Sequence, residues 1–121
     1  MADWRSGGLS ILHDRVEQSI AALNDGDFEP LLSGYSDDVQ VRIPFYREGD
    51  PVGPPTLKGK ASWRSYMLQY MLRHGAITLV SVEPISRGMV VTLRDSRGEP
   101  LTLSVELNES GLGIMVVVFI V

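Results

Sequence analysis

The second half of the chain constrains the fold more than any other feature, because three of its four strand-length stretches largely alternate apolar and polar side chains and the last is apolar throughout. These stretches are Ile77–Ile85, Met89–Arg94, Leu101–Asn108 and Ile114–Val121, and the turns between them are "SRG", "DSRGEP" and "ESGLG". Alternation with a period of two gives each strand one apolar face, and short turns join antiparallel neighbours. The pattern predicts an antiparallel meander that buries one face.

The first half of the chain shows helical spacing instead. Apolar residues recur at steps of three and four over Leu9–Leu23, which predicts an amphipathic helix. Asp27 is placed to cap a short second helix, with Tyr35 on its buried side. Residues Lys60–Arg73 predict a third helix.

Two segments lie between the second and third helices. The alternating "VQVRIPF" predicts a strand that ends near its proline. Residues Arg47–Gly59 are rich in glycine and proline and predict an irregular loop. The element order predicts an α+β fold in one domain spanning residues 1–121, with three helices packed on a curved antiparallel sheet.

Composition excludes several classes of function. The chain contains no cysteine, which removes disulfides and thiolate chemistry and suits a reducing compartment. A net charge of −4 without a basic run argues against nucleic acid as a partner. The opening "MADWRSGG" lacks a signal-peptide core, and "GIMVVVFIV" is shorter than the roughly 20 residues of a spanning helix. We predict a cytoplasmic protein that does not bind membranes.

The titratable residues predict no metal site and no cofactor. His13 and His74 are distant in sequence and lack a suitable carboxylate pattern, and His74 falls at a helix C-terminus, where its charge complements the helix dipole. Asp37 and Asp38 precede a strand, where short acidic side chains commonly bond their own backbone. We interpret His74, Asp37 and Asp38 as structural residues.

Several motifs carry a family resemblance. The segment "AALNDGDFEPLLSGYSDDVQVRIP" resembles the opening of the nuclear-transport-factor-2-like superfamily, in particular its SnoaL-like polyketide cyclases and ketosteroid isomerases. "LKGKASWRSYM" is similar to the start of that family's third helix, and "GLG" before an apolar strand fits its final hairpin. The resemblance covers nearly the whole chain. It implies a cone-shaped α+β barrel, usually dimeric, around a deep apolar pocket.

The resemblance also allows a test for isomerase chemistry, which uses a tyrosine and two aspartates in that family. The matching positions here are Ser19, Ile43 and Val105, so all three roles are vacant. We therefore predict a binding domain for a small apolar ligand. The predicted ligand-binding residues are Ile43, Tyr46, Trp63, Tyr66, Tyr70, Val105 and Val118.

Two alternatives stay open. A β-bulge would reverse which side chains face inward and would bring Glu106 with Arg42 or Arg94 into the cone, as general acid–base groups for proton transfer on a small apolar carbonyl or epoxide. Alternatively, the chain's own side chains fill the interior. Without a bulge, the opposite sheet face carries these ionic residues beside an apolar final strand, which predicts a homodimer through that outer face.

Overall fold

The computed structural model describes residues 9–43 and 56–120, which form three helices and six strands. The helices are α1 (Leu9–Asn24), α2 (Glu29–Leu32) and α3 (Lys60–His74). The strands are β1 (Tyr35–Arg42), β2 (Thr56–Lys58), β3 (Thr78–Ile85), β4 (Gly88–Arg94), β5 (Pro100–Leu107) and β6 (Gly113–Ile120). The predicted α+β class is confirmed: a curved, open sheet carries the helices.

The sheet order is β2-β1-β6-β5-β4-β3. The predicted meander is confirmed, since β3 to β6 pair antiparallel in sequence order. The prediction of a wholly antiparallel sheet is wrong, because β1 pairs parallel with β6, with Val41 opposite Val116. The strand β2 lies inside the predicted loop Arg47–Gly59 and extends the sheet beside β1.

The helix ends are fixed by specific hydrogen bonds. The side chain of Asn24, the last residue of α1, donates to the carbonyl of Ile77 at 2.8 Å and accepts from its N–H at 3.0 Å. Asp27 Oδ1 accepts from the N–H of Glu29 at 3.2 Å, but the N-cap residue of α2 is Phe28, so the prediction of Asp27 as the cap is wrong by one residue. No helix in the described part of the chain is long and apolar enough to cross a membrane.

The second helix is shorter than predicted. Tyr35 was expected on its buried side, but it is the first residue of β1, where its side chain is buried. The N–H of Gly113 donates to the carbonyl of Gly34 at 2.8 Å, which aligns the start of β1 with β6. Gly113 also leaves room for the Tyr35 ring, since a Cβ there would lie 2.4 Å from Tyr35 Cδ1.

The two faces of the sheet carry different side chains. The inner face packs under the helices and buries Val39, Val41, Ile43, Val91, Leu93, Leu101, Leu103, Val105, Val116 and Val118. The outer face carries Gln40, Arg42, Val90, Thr92, Arg94, Thr102, Ser104, Glu106, Met115, Val117 and Phe119, all half-buried or exposed. The predicted direction of the described side chains on these strands is therefore confirmed.

Candidate functional site

An apolar cavity lies between the inner face of the sheet and the helices. Its volume is about 30 Å³. Its walls come from α1, α2, α3, the segment before β3, and strands β4 and β5. The lining residues are Ile20, Leu23, Leu31, Trp63, Tyr66, Met67, Tyr70, Met71, Ile77, Leu93, Leu101 and Leu103.

One wall of the cavity is a row of aromatic rings on α3. Trp63 and Tyr66 stack with ring centroids 5.9 Å apart, and Tyr66 and Tyr70 lie 6.4 Å apart. Tyr70 stacks on the His74 ring at 4.3 Å. Residues three and four apart share a helix face, so the sequence spacing builds this row directly. The row presents ring faces and edges, which suit apolar and aromatic ligands.

Tyr35 and Trp63 close the deep end of this row. Their rings meet edge to face at 6.2 Å, and both side chains are buried. Burial raises the pKa of the Tyr35 hydroxyl well above its usual value. Within the described residues, Trp63 Nε1 makes no hydrogen bond of ordinary geometry. Tyr35 therefore remains a neutral packing group at physiological pH.

The structure brings some of the predicted ligand-binding residues to the cavity. Trp63, Tyr66 and Tyr70 line it. Ile43, Val105 and Val118 do not line it, and their side chains are fully buried elsewhere in the core of the inner face. Tyr46 lies outside the described residues. The predicted ligand-binding set did not include Met67 and Met71, although their spacing places them on the same side of the helix as the aromatic residues.

The alternative acid–base set is not placed inside the cone. Glu106, Arg42 and Arg94 are all exposed on the outer face. Strands β4 and β5 pair without a register shift, so the reversal that this alternative required is absent there. A shift does occur between Glu106 and Leu107, but Glu106 stays outward and Leu107 is buried.

Asp37 and Asp38 also lie away from the cavity. Both side chains are exposed on β1. Asp38 Oδ1 accepts a hydrogen bond from Ser36 Oγ at 2.9 Å, and Asp37 lies 3.4 Å from Lys60 Nζ. Among the described residues that line the cavity, none carries a carboxylate, an imidazole or an amine.

A cluster of polar side chains that the sequence pattern did not indicate lies at the C-terminal end of α3. His74 Nδ1 is 3.3 Å from Asp95 Oδ2, and both side chains are buried. Asp95 belongs to the β4–β5 turn, so the fold brings together residues that are distant in sequence. Glu99 from the same turn completes the group.

Comparison with solved structures identifies the fold. A SnoaL-like protein of unknown function from Burkholderia thailandensis superimposes with a TM-score of 0.71 at 14% identity, covering 90% of this chain and 92% of that one. TerC, co-crystallised with polyporic acid, gives 0.66 at 20% identity, covering 89% of each chain. SalBIII, an epoxide hydrolase/cyclase-like enzyme in pyran ring formation in the polyether salinomycin, gives 0.59 at 15% identity, covering 90% of this chain and 89% of that one.

The chain therefore has the fold of SnoaL-like and nuclear-transport-factor-2-like proteins, as the motifs in its sequence predicted. No protein-family model and no curated protein matches the sequence. At these identities the likeness concerns the fold, and function has to be argued from the side chains of this chain.

Proposed function

We propose that this domain is a cytoplasmic protein that binds a small apolar molecule in the cavity between α3 and the sheet. The observation that carries the proposal is a cavity with apolar and aromatic walls, placed under a helix that contributes two methionines to the lining. Apolar walls favour apolar ligands, because the apolar surface of such a ligand is removed from water when it binds.

The ligand must displace side chains to enter. The cavity measures about 30 Å³, whereas a cavity that holds benzene has a volume of roughly 150 Å³. Met67 and Met71 both line the cavity, and Met71 and Tyr66 are only partly buried. Methionine is unbranched and adapts its shape at low cost, so these residues give the wall the capacity to open.

Binding is favoured over acid–base catalysis by the chemistry of the lining. The described lining residues offer apolar contacts and tyrosine rings, with no carboxylate or imidazole to move a proton. TerC, which has a similar fold, was co-crystallised with polyporic acid, and this supports a small organic molecule as the ligand here. SalBIII carries the same fold in an enzyme, so this preference rests on the side chains rather than on the fold.

Fluorescence of Trp63 tests the proposal, because its indole lies in the cavity wall. The chain has two tryptophans, so Trp4→Phe leaves Trp63 as the reporter. Titration with naphthalene and with polyporic acid should change its emission saturably. An unchanged emission with both probes, together with unchanged thermal stability, would mean that the chain's own side chains fill the interior.

Two adjacent residues of α3 provide a matched comparison. Met67 lines the cavity, whereas the next residue, Leu68, does not line it and is 38% exposed. Met67→Ala should enlarge the cavity and tighten binding of a two-ring ligand relative to Leu68→Ala. Equal affinities in the two variants would place the ligand elsewhere.

We also propose that the outer face pairs with a second copy of the chain. Its centre is an apolar strip on β6, formed by Met115, Val117 and Phe119, of which Phe119 is 39% exposed. The strip is bracketed by opposite charges, with Arg42 beside Val117 on β1 and Glu106 beside Met115 on β5. An apolar strip with a polar rim is typical of an interface between protein chains.

The arrangement suits a two-fold axis. An axis running along β6 in the interface would lay β1 of one copy over β5 of the other. Arg42 of each copy would then face the strand that carries Glu106 of its partner. Because Arg42 and Glu106 of one chain complement the same two residues of a second chain, we propose a second copy as the partner of this face.

Sedimentation of the full chain tests this pairing. The wild type should sediment as a dimer, and Val117→Glu should sediment as a monomer. Leu72→Glu is the control, because Leu72 is 78% exposed on α3, away from the outer face. Arg42→Glu should weaken the dimer, and adding Glu106→Arg should restore it. A monomeric wild type would contradict the proposal.

A further inference from the structure

We propose that His74, Asp95 and Glu99 bind one divalent transition-metal ion, of which Zn²⁺ is the best match. The group lies where the C-terminal end of α3 meets the β4–β5 turn. It is separate from the cavity lining and does not depend on what the cavity binds.

The distance between His74 and Asp95 fits a shared ion, and the exposed Glu99 side chain has to move closer to join them. His74 Nδ1 lies 3.3 Å from Asp95 Oδ2, and the ligand atoms of all three residues lie within 4.8 Å of one another. Two ligands of a tetrahedral Zn²⁺, each bound at ~2.0–2.1 Å, lie about 3.3 Å apart.

The turn fixes the direction of the Asp95 carboxylate. Its Oδ1 accepts the backbone N–H groups of Arg97 at 2.9 Å and Glu99 at 3.0 Å. The N–H of Asp95 in turn donates to the carbonyl of Glu99 at 3.0 Å, which closes the turn. These bonds engage Oδ1 and leave Oδ2 facing His74, so one ligand atom is aimed before any ion arrives.

The imidazole is held just as firmly. His74 is the last residue of α3, and its carbonyl accepts hydrogen bonds from the N–H and the hydroxyl of Ser96. The ring of Tyr70 stacks on the imidazole at 4.3 Å. His74 is 8% exposed and Asp95 is 5% exposed, so neighbouring atoms pack closely around both side chains.

The donor set selects the class of ion. One imidazole nitrogen with two carboxylates suits first-row divalent ions such as Zn²⁺ better than Mg²⁺ or Ca²⁺, which prefer oxygen alone. Glu99 is exposed, so an ion can reach the site from solvent and keep a water molecule as its fourth ligand.

Calorimetric titration of ZnCl₂ into the untagged, metal-free full chain tests the site. We expect one Zn²⁺ per chain and an increase in thermal stability on binding. Co²⁺ should give the visible absorption spectrum of a tetrahedral N/O site. A chain that binds no Zn²⁺ would overturn the proposal.

Two variants locate the ion. Asp95→Asn removes the carboxylate ligand but keeps an oxygen that can accept the two turn N–H groups, so the fold should survive. Glu99→Gln removes the exposed ligand. Each should weaken Zn²⁺ binding at least about tenfold, whereas Glu83→Gln, which removes an exposed charge from β3, should not. Unchanged binding in both site variants, with circular dichroism showing folded protein, would place the ion elsewhere and refute the site.

Discussion

The inner and outer faces of the sheet are built from the same strands, yet neighbouring residues meet opposite surroundings. On β5, Val105 is 1% exposed under the helices, whereas the next residue, Glu106, points outward and is exposed. The inner face encloses an apolar cavity against α3. The outer face presents an apolar strip between charged residues.

The two faces are therefore different kinds of surface, although a profile of hydrophobicity along the sequence does not distinguish them. Val118 on the inner face and Val117 on the outer face are chemically identical neighbours on β6, but only Val118 is fully buried. Burial on the inner face stabilises the fold of one chain. Apolar surface on the outer face becomes useful only when another surface covers it.

The largest expected effect is on the inner side of α3. Trp63→Ala should lower the free energy of unfolding by about 3–5 kcal/mol, because it removes a fully buried indole that contacts two rings. Leu72→Ala, at a residue that is 78% exposed on the same helix, should change it by less than about 0.5 kcal/mol. Urea unfolding measures both. Similar losses in the two variants would break the distinction between the two sides of α3.

Adjacent positions on β5 sharpen the comparison between the faces. Val105→Ala should cost about 2–3 kcal/mol, since it removes two methyl groups from a packed core. Ser104→Ala, on the outer face, should cost less than about 0.5 kcal/mol. Thermal unfolding of the two variants at equal protein concentration gives the difference. A larger loss for Ser104→Ala would reverse the assignment of faces.

The buried hydroxyl of Tyr35 should give the inner face a distinct response to alkaline pH. Burial raises the folded-state pKa above the unfolded value of about 10. The folded chain therefore keeps a proton that the unfolded chain loses, and the contribution is fully present below pH 10. Above that pH, stability should fall by about 1.4 kcal/mol per pH unit from this group.

Tyr35→Phe removes this ionisation and should flatten the alkaline decline. Comparing urea unfolding of wild type and variant across this pH range isolates Tyr35 from the other tyrosines and the lysines. Parallel profiles for the two proteins would show that Tyr35 is not shielded as its burial indicates.

The smallest effect is expected at the exposed acids of β1. Asp37→Asn removes the partner of Lys60, but Asp37 is fully exposed, and exposed ion pairs contribute little. Neither the midpoint of thermal unfolding nor the Trp63 response to ligand should change. A lost ligand response would assign Asp37 a functional role rather than a structural one.

Much of this architecture could be predicted from local pattern. The alternation Val39, Val41, Ile43 set the inner face of β1 correctly, since the period of two is a property of any strand. The helical spacing of Trp63 and Tyr70 likewise predicted the aromatic wall. Such features depend on neighbours along the chain.

Features that depend on distant segments could not be predicted in the same way. The parallel pairing of β1 with β6 joins strands from opposite ends of the chain, and a period of two does not specify strand direction. The approach of Asp95 to His74 requires both the end of α3 and the shape of the β4–β5 turn. The volume of the cavity depends on how the side chains pack, which the apolar pattern does not determine.

Methionine-methyl NMR tests most directly whether the inner face binds a ligand. The chain has five methionines. Met67 and Met71 line the cavity, whereas Met115 lies on the outer face. Titration with the apolar two-ring probe naphthalene should shift the methyl signals of Met67 and Met71 and leave Met115 unchanged. Shifts confined to Met115, or no shift at any methionine, would contradict binding within the cavity.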